Sequence, residues 1–320
     1  MSALPLYSLS IVIVTYNREA VLVDTIRSLQ LLRNSFPSAY LNTSEFLIID
    51  QTSSHEQTTT QALSEWDASG QIRWIHLPLP HLTQAMNRGL REAQGDLVLF
   101  VDDDILPFPD LLQGHLKAHA SYPEAWAVVG QILQPGQQPE FHSHRPHGST
   151  LWRDLDFHFN GTEPAWIENV MAGNLSVKRE QALKIGGFDE CFPPPVAARF
   201  ETEFAKRLIA AGGRIRFVPD APLHHLAASS GGTRSKGSHL TSASPRYGIG
   251  DCYYAFRCGR GWERAWYLLR KPFREVRTRF HLRHPWWIPV KLLGELRALL
   301  RAWRLSRLPP QLLELRKCEW

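Results

Sequence analysis

Asp96-Leu-Val-Leu-Phe-Val101 runs straight into Asp102-Asp103-Asp104. A short, unbroken apolar run that ends in charge predicts a strand buried on both faces, as in a parallel sheet. Three adjacent carboxylates repel one another. At a strand end they are tolerable where a hard cation or a ligand compensates them. Side chains alternate along an extended chain, so Asp102 and Asp104 share a face, which suits a divalent ion carrying a diphosphate. A solvated acidic turn capping the next helix is the other account of these three residues taken alone.

Working outward, the same grammar repeats. Leu9-Ser-Ile-Val-Ile-Val-Thr15 and Phe46-Leu-Ile-Ile49 read as buried strands, the second ending at Asp50, and Ile72-Arg-Trp-Ile75 as a shorter one. Between them, Val21, Leu22, Ile26 and Leu29 keep helical spacing, and Thr83 to Ala93 reads as a helix stopped by Gly95. Strand–helix alternation over the first hundred residues argues an α/β fold with a mostly parallel central sheet flanked by helices. In such sheets ligands bind outside the carboxyl ends of the strands, where Asp50 and Asp102–Asp104 fall. Later strands are expected at Ala125–Ile132, Met171–Val177 and Arg214–Val218, and helices at Lys178–Leu183 and Glu201–Ala211. Gln134–Pro164 reads as irregular, and Gly231–Pro245 has the composition of a mobile loop.

The chain has 320 residues, 43% of them hydrophobic, enough for a sizeable core. Its four cysteines, Cys191, Cys252, Cys258 and Cys318, form no C-x-x-C pair, so they read as reduced thiols rather than zinc or redox ligands. The first ten residues lack the pattern of a signal peptide, and no apolar run is long enough to span a bilayer. A cytoplasmic location is the expectation. No G-x-G-x-x-G follows the first strand, and neither a P-loop nor a G-x-S-x-G elbow occurs. Those absences argue against a dinucleotide oxidoreductase, a P-loop NTPase and an α/β-hydrolase.

Other residues carry two accounts each. Glu203 and Arg207 make an ordinary i,i+4 pair at a helix start, which leaves Glu201 able to serve as a base. His224 and His225 are either structural or metal ligands. His142, His144, His147 and His158 fit no metal spacing and read as a loop of solvated histidines.

In order, the chain carries Ser10-Ile-Val-Ile-Val-Thr-Tyr-Asn-Arg18; Phe46-Leu-Ile-Ile-Asp50; Asn87-Arg-Gly-Leu90 with Ala93-x-Gly95-Asp96; Val98-Leu-Phe-Val-Asp-Asp-Asp104; Gly173-Asn174; Gly186-Gly-Phe-Asp-Glu190; Glu201-x-Glu203 with Arg207-Leu208; and Pro219-x-Ala221 before His225. Over about residues 8–235 this series resembles the family 2 glycosyltransferases. The resemblance implies the GT-A nucleotide-diphospho-sugar transferase fold and an inverting, metal-dependent transfer from a nucleotide-sugar to an acceptor hydroxyl. Thr15, Asn17 and Asp50 then correspond to the nucleoside pocket. Asp102–Asp104 matches the D-x-D element, with Asp102 toward the ribose, Asp104 on the Mn or Mg ion and Asp103 assisting. His225 matches a position that helps hold the metal, Gly173 and Asn174 line the sugar pocket, and Glu201 is the catalytic base. Two departures stand out. The family's Glu-Asp pair is Phe200-Glu201 here, a base longer by one methylene. The family's Arg-Asn order is Asn87-Arg88 here, with Arg88 assigned to the donor group. Phe200-Glu201 also motivates the alternative of a non-catalytic nucleotide- or carbohydrate-binding protein on the same fold. A nucleotidyltransferase would need a Gly-rich basic loop after the first strand, which Thr15-Tyr-Asn-Arg-Glu19 is not.

The remaining part divides off by charge, suggesting a catalytic unit at 1–245 and a helical, basic, Trp-rich extension at 246–320. Arg260–Trp320 holds 15 Lys and Arg against 5 Asp and Glu, whereas the rest of the chain holds 21 against 26. Leu292, Leu296, Leu299, Leu300 and Trp303 recur at helical spacing, with Lys291, Arg297, Arg301 and Arg304 over much of the other surface, and Pro285-Trp-Trp-Ile-Pro289 adds an aromatic cluster. This pattern suits peripheral binding to an anionic membrane, with a saccharide or lipid-linked acceptor, and it equally suits packing on protein. Because the stripe is amphipathic rather than a solvated basic run, nucleic acid is not the expected partner.

Overall fold

The computed structural model describes residues 7–34, 44–146, 148–194, 196–232 and 238–314. His147, Cys318, Trp320 and part of the Gly231–Pro245 stretch lie outside the described residues. Strands β1 (Leu9–Thr15), β2 (Ser44–Asp50), β3 (Arg73–His76) and β4 (Leu97–Val101) follow the apolar runs, with helices α1 (Ala20–Asn34), α2 (Gln57–Ala68) and α3 (Leu82–Glu92) between them. β1 sits between β2 and β4 and pairs in parallel with both, Thr15 opposite Asp50 and Ile13 opposite Val101. Three strands therefore release Tyr16, Gln51 and Asp102 at one edge of the sheet. Ile11, Val12 and Ile13 have no exposed surface, which is why these strands are apolar on both faces.

The second half of the sheet is mixed, where a mostly parallel sheet is the sequence expectation. β5 (Ile105–Pro107), α4 (Leu111–Ser121), β6 (Ala125–Leu133), β7 (Ala165–Ile167), β8 (Asn174–Lys178), α5 (Arg179–Lys184), α6 (Phe200–Ala210) and β9 (Arg214–His225) complete it. The strand order is β3-β2-β1-β4-β8-β6-β9-β5, with β7 on β9. β8 runs antiparallel to both β4 and β6. Three-residue strands such as β5 and β7 carry too few residues to show a period.

β9 continues past Val218, where the sequence pattern ends it, to His225. Pro219 and Pro222 cannot donate to a ladder, and the pairing with β6 slips between Gly130 and Ile132 to pass them. The continuation sets His225 opposite Ile105 on β5. A histidine 121 positions beyond Asp104 thereby becomes its neighbour.

The C-terminal region folds as α7 (Ile249–Cys258), α8 (Gly261–Val276), α9 (Arg279–Arg283) and α10 (Ile288–Ser306). Tyr253, Tyr254, Tyr267, Ala298, Ala302 and Leu313 belong to the same buried cluster as the sheet. Among the described residues no helix is long and apolar enough to cross a membrane.

Candidate active site

The edge where β1, β2 and β4 end opens into a cavity of about 250 Å³, lined by Thr15, Arg18, Gln51, His81, Asp102, Asp103, Asp104 and His225 among others. Asp102 is exposed, while Asp103 and Asp104 are 6% and 1% exposed. Burying two carboxylates requires compensation, and Arg18 provides it. Its Nε donates to Asp103 Oδ1 at 3.0 Å and a terminal nitrogen to Asp104 Oδ2 at 3.1 Å. Thr15 Oγ1 donates to Asp103 Oδ2 at 2.7 Å. Both Asp103 oxygens are thus engaged by protein, so within the cavity wall Asp103 braces the element. Burial nonetheless pushes the Asp103 carboxyl up to about 7 against the pull of Arg18.

Asp104 Oδ2 also accepts the Ala228 N–H at 2.8 Å, and His225 Nε2 stands 3.1 Å from Asp104 Oδ1 and 3.7 Å from Asp102 Oδ2. Burial would raise the Asp104 pKa, but the His225 contact, the Ala228 N–H and Arg18 hold it below the ordinary carboxylate range. Gln134 Oε1 lies 2.8 Å from His225 Nδ1 and so fixes the ring. One ligand atom from each of Asp102, Asp104 and His225 lies within 4.8 Å of the others, a set of hard oxygens and one imidazole nitrogen suited to Mn²⁺ or Mg²⁺. Among the described residues no other group of three meets that test. The described histidines of the irregular segment, His142, His144 and His158, do not. Nor are they fully solvated: His142 stacks on His158 with ring centroids 4.1 Å apart, and His144 packs edge-on to Phe157.

Glu201 stands in the first turn of α6, after Arg199, whose φ of 70° turns the chain into the helix. Its Oε1 accepts the Ala172 N–H. Burial, with Asp102 adding its charge, pushes the Glu201 carboxyl up to about 7 against Ala172 and Arg199. Next to Ala172, Gly173 packs so tightly that an added Cβ would sit 2.4 Å from Asp102 Oδ2. The Ala172-Gly173 peptide thus joins Glu201 to the Asp102–Asp104–His225 group. We expect Gly173→Ala to displace the flexible Asp102 carboxylate, weakening Mn²⁺ binding by about tenfold with little change in melting temperature. Calorimetric titration against a thermal melt checks both.

A second cavity of about 390 Å³ is lined by Glu201 together with Phe157, Met171, Arg199, Tyr247, Asp251, Lys271 and Arg274 among others. Its far wall belongs to the C-terminal helices. Asp251 on α7 binds Arg199 Nε at 3.2 Å, Tyr267 Oη at 2.6 Å and Arg274 at 2.8 Å. The residue that starts the Glu201 helix is therefore anchored by the extension, a link invisible in the sequence because Arg199 lies 52 positions from Asp251 and farther from the others.

The other expected donor residues are placed as follows. Asp50 is fully buried, taking Thr52 N–H at 2.8 Å and Trp74 Nε1–H at 2.9 Å, with His55 Nε2 at 2.7 Å. It orders the loop after β2 and is not among the cavity-lining residues, whereas its neighbour Gln51 is. Asn17 is exposed with a φ of 53°, and its N–H donates to Thr52 Oγ1. Arg88 points to solvent and pairs with Glu92 at 3.0 Å, so the structure does not bring it to the cavity. Its neighbour Asn87 instead clamps the Gly186–Glu190 turn through the Phe188 backbone, at 2.8 Å in both directions. Asn174 is fully buried, bonded to His115, Gln131 O and Ala221 O, and acts as a hub between strands rather than as a sugar contact. Arg18 is the residue that sequence reasoning missed; its signal was a cation two residues past the Tyr16 turn of the first strand. Glu203 pairs with Arg207 at 2.6 Å, as its spacing predicts.

Residues 10–184 match the model of glycosyl transferase family 2, more than half of the chain. The chain belongs to that family. Among curated relatives, it is 26% identical over 110 residues to a glucosyl-dolichyl phosphate glucuronosyltransferase of Haloferax volcanii, 34% of each chain. It is 27% identical over 208 residues to a validoxylamine A glucosyltransferase of Streptomyces hygroscopicus subsp. limoneus, 58% of this chain and 44% of that one. It thus spans between a third and a half of the length of these relatives. The family 2 chain also shares its fold with GalNAc-T7, solved with UDP, GalNAc and Mn²⁺, at a TM-score of 0.58 and 15% identity, covering 85% of this chain and 57% of that one. A mannosyltransferase of Pyrobaculum calidifontis, solved with GDP-Man and Mn²⁺, aligns at a TM-score of 0.50 and 18% identity, covering 93% and 74%. The GT-A architecture expected from the motifs is therefore the one observed.

Proposed function

We propose that this chain moves a glycosyl group from a nucleotide-diphosphate sugar to an acceptor hydroxyl with inversion, in the synthesis of a cell-surface polysaccharide or glycolipid at the cytoplasmic side of a membrane. The observation that carries this reading is the adjacency of Glu201 to the Asp102–Asp104–His225 set through the Ala172-Gly173 peptide. The first cavity would take the donor and the second the acceptor. Asp102, Asp104 and His225 would hold a divalent ion, which would supply charge stabilisation to a departing diphosphate. Thr15 and Arg18 hold the carboxylates in place, so their positions need no reorganisation during the reaction. Glu201, with its raised pKa, accepts the proton of an acceptor hydroxyl near neutral pH. The names of the solved neighbours, with UDP or GDP-Man and Mn²⁺, support the donor class, and the dolichyl phosphate of one relative's name supports a lipid-linked acceptor.

The test is a panel of UDP- and GDP-sugars with Mn²⁺ or Mg²⁺, followed by thermal shift and by release of nucleotide diphosphate. A donor that raises the melting temperature and is consumed only with metal supports transfer. A donor that binds but is never consumed, whatever acceptor is offered, would leave the binding-protein alternative. No binding at all would remove both.

A further inference from the structure

Helix α8 is inside out. Its inward face carries Tyr267 and Lys271, 0% and 3% exposed. Lys271 is held there by a short contact with Glu295 of α10. Its outward face carries Trp262, Trp266, Leu269 and Phe273, which are 75%, 41%, 57% and 61% exposed. These four follow i, i+4, i+7 and i+11, a single stripe opposite the buried side. A soluble helix ordinarily does the reverse, since burying an ammonium is costly and exposing aromatic surface wastes the main driving force of folding. The stripe is also structured: Trp262 and Trp266 stack with centroids 6.1 Å apart, and the Arg270 guanidinium lies 5.6 Å from the Trp266 ring centre. Beyond it, Leu282 and Trp286 are 79% and 64% exposed.

We propose that the outward face of α8 docks on an anionic lipid bilayer, and that α8 thereby seats the second cavity at the membrane surface. Charge selects the occupant. Residues 260–314 hold 13 Lys and Arg against 4 Asp and Glu. Lys271, Lys291 and Glu295 are buried together and present nothing outward, which leaves 11 basic residues against 3 acidic ones. Arg270, Arg277, Arg279 and Arg283 are all exposed around the apolar stripe. A second copy would bring this surface against its like, whereas an anionic headgroup layer neutralises it and takes up the Trp and Phe rings at the acyl boundary. The inner face of the same helix contributes Lys271 and Arg274 to the cavity beside Glu201. That geometry points to an acceptor carried on an anionic lipid. This second statement rests on the proposed transfer reaction; the docking does not.

The test is flotation of the full chain with vesicles of phosphatidylcholine alone or with phosphatidylglycerol. Salt-sensitive binding to the anionic vesicles is expected. Trp262→Ser/Trp266→Ser/Phe273→Ser should lose about tenfold or more in vesicle affinity, and Arg270→Gln/Arg277→Gln should weaken binding and flatten its salt dependence. Since these side chains face solvent, both variants should keep the wild-type melting temperature and the wild-type release of nucleotide diphosphate with a soluble acceptor. Docking is overturned by an absence of flotation, by flotation that survives the triple substitution, or by a concentration-dependent dimer that the substitution abolishes. Flotation without any donor turnover would sink the transfer reading and leave the docking standing.

Discussion

Glu201→Gln is expected to slow glycosyl transfer by roughly 10²–10⁴-fold while nucleotide-sugar binding persists. The amide keeps the oxygen that accepts the Ala172 N–H, so the helix start and the Ala172-Gly173 peptide stay in place. Only the capacity to take a proton is lost. The pH dependence gives a second signature. Burial raises the Glu201 carboxyl from 4.5 to about 7. Turnover in the wild type should therefore rise with pH through about 7, and the variant should lack that limb. Stability should move the other way. Between 4.5 and about 7 the folded chain holds a proton that the unfolded chain has released, so stability is full below that window and declines as pH rises through it. The neutral Gln escapes this penalty. Above pH ~7 the variant should be more stable than the wild type, on the order of 1–3 kcal/mol, the gap closing as pH falls. Thermal melts across the range check the sign. A variant that turns over normally, or that is less stable at high pH, would remove Glu201 from the role of base.

Asp104→Asn should lower Mn²⁺ affinity by about 100-fold or more, and metal-dependent transfer with it. Asp104 is the inner member of the candidate ligand set, its Oδ1 facing His225 and its Oδ2 anchored by Arg18 and Ala228. The substitution keeps the shape and one acceptor oxygen but removes the charge that opposes both Arg18 and a cation. Folding should be only modestly affected, because Asp103 retains its bond to Arg18. Calorimetric titration of the metal, with and without nucleotide diphosphate, reads the affinity directly. Wild-type binding in the variant would mean that the metal sits elsewhere. Since Glu201 belongs to neither the ligand set nor the first cavity, the two substitutions separate the proton step from the ion.

Legibility followed the range of the interactions. The runs Leu9–Thr15, Phe46–Asp50 and Leu97–Val101 became strands because an apolar segment bounded by turn residues is a local signal. The acidic triple could be placed at a strand end for the same reason, and alternation put Asp102 and Asp104 together. Asn174 read as a sugar contact and Arg88 as a donor contact because a motif fixes a position along the chain but not the direction of a side chain. In the fold, Asn174 spends its hydrogen-bonding groups on His115, Gln131 and Ala221, and Arg88 lies on the solvent face of α3.

By itself, then, the sequence determined the strand–helix alternation, the acidic end of β4, the candidate base and the basic character of the last 60 or so residues. Each is a matter of composition or short-range period. Tertiary structure alone decided that Arg18 neutralises the buried carboxylates, that β9 carries His225 back to Asp104, that Asp251 anchors Arg199, and that α8 turns its lysine inward and its tryptophans out. The reason is the same in every case. A buried charge or an inverted helix is tolerable only beside its partner, and each partner here lies far away in the chain.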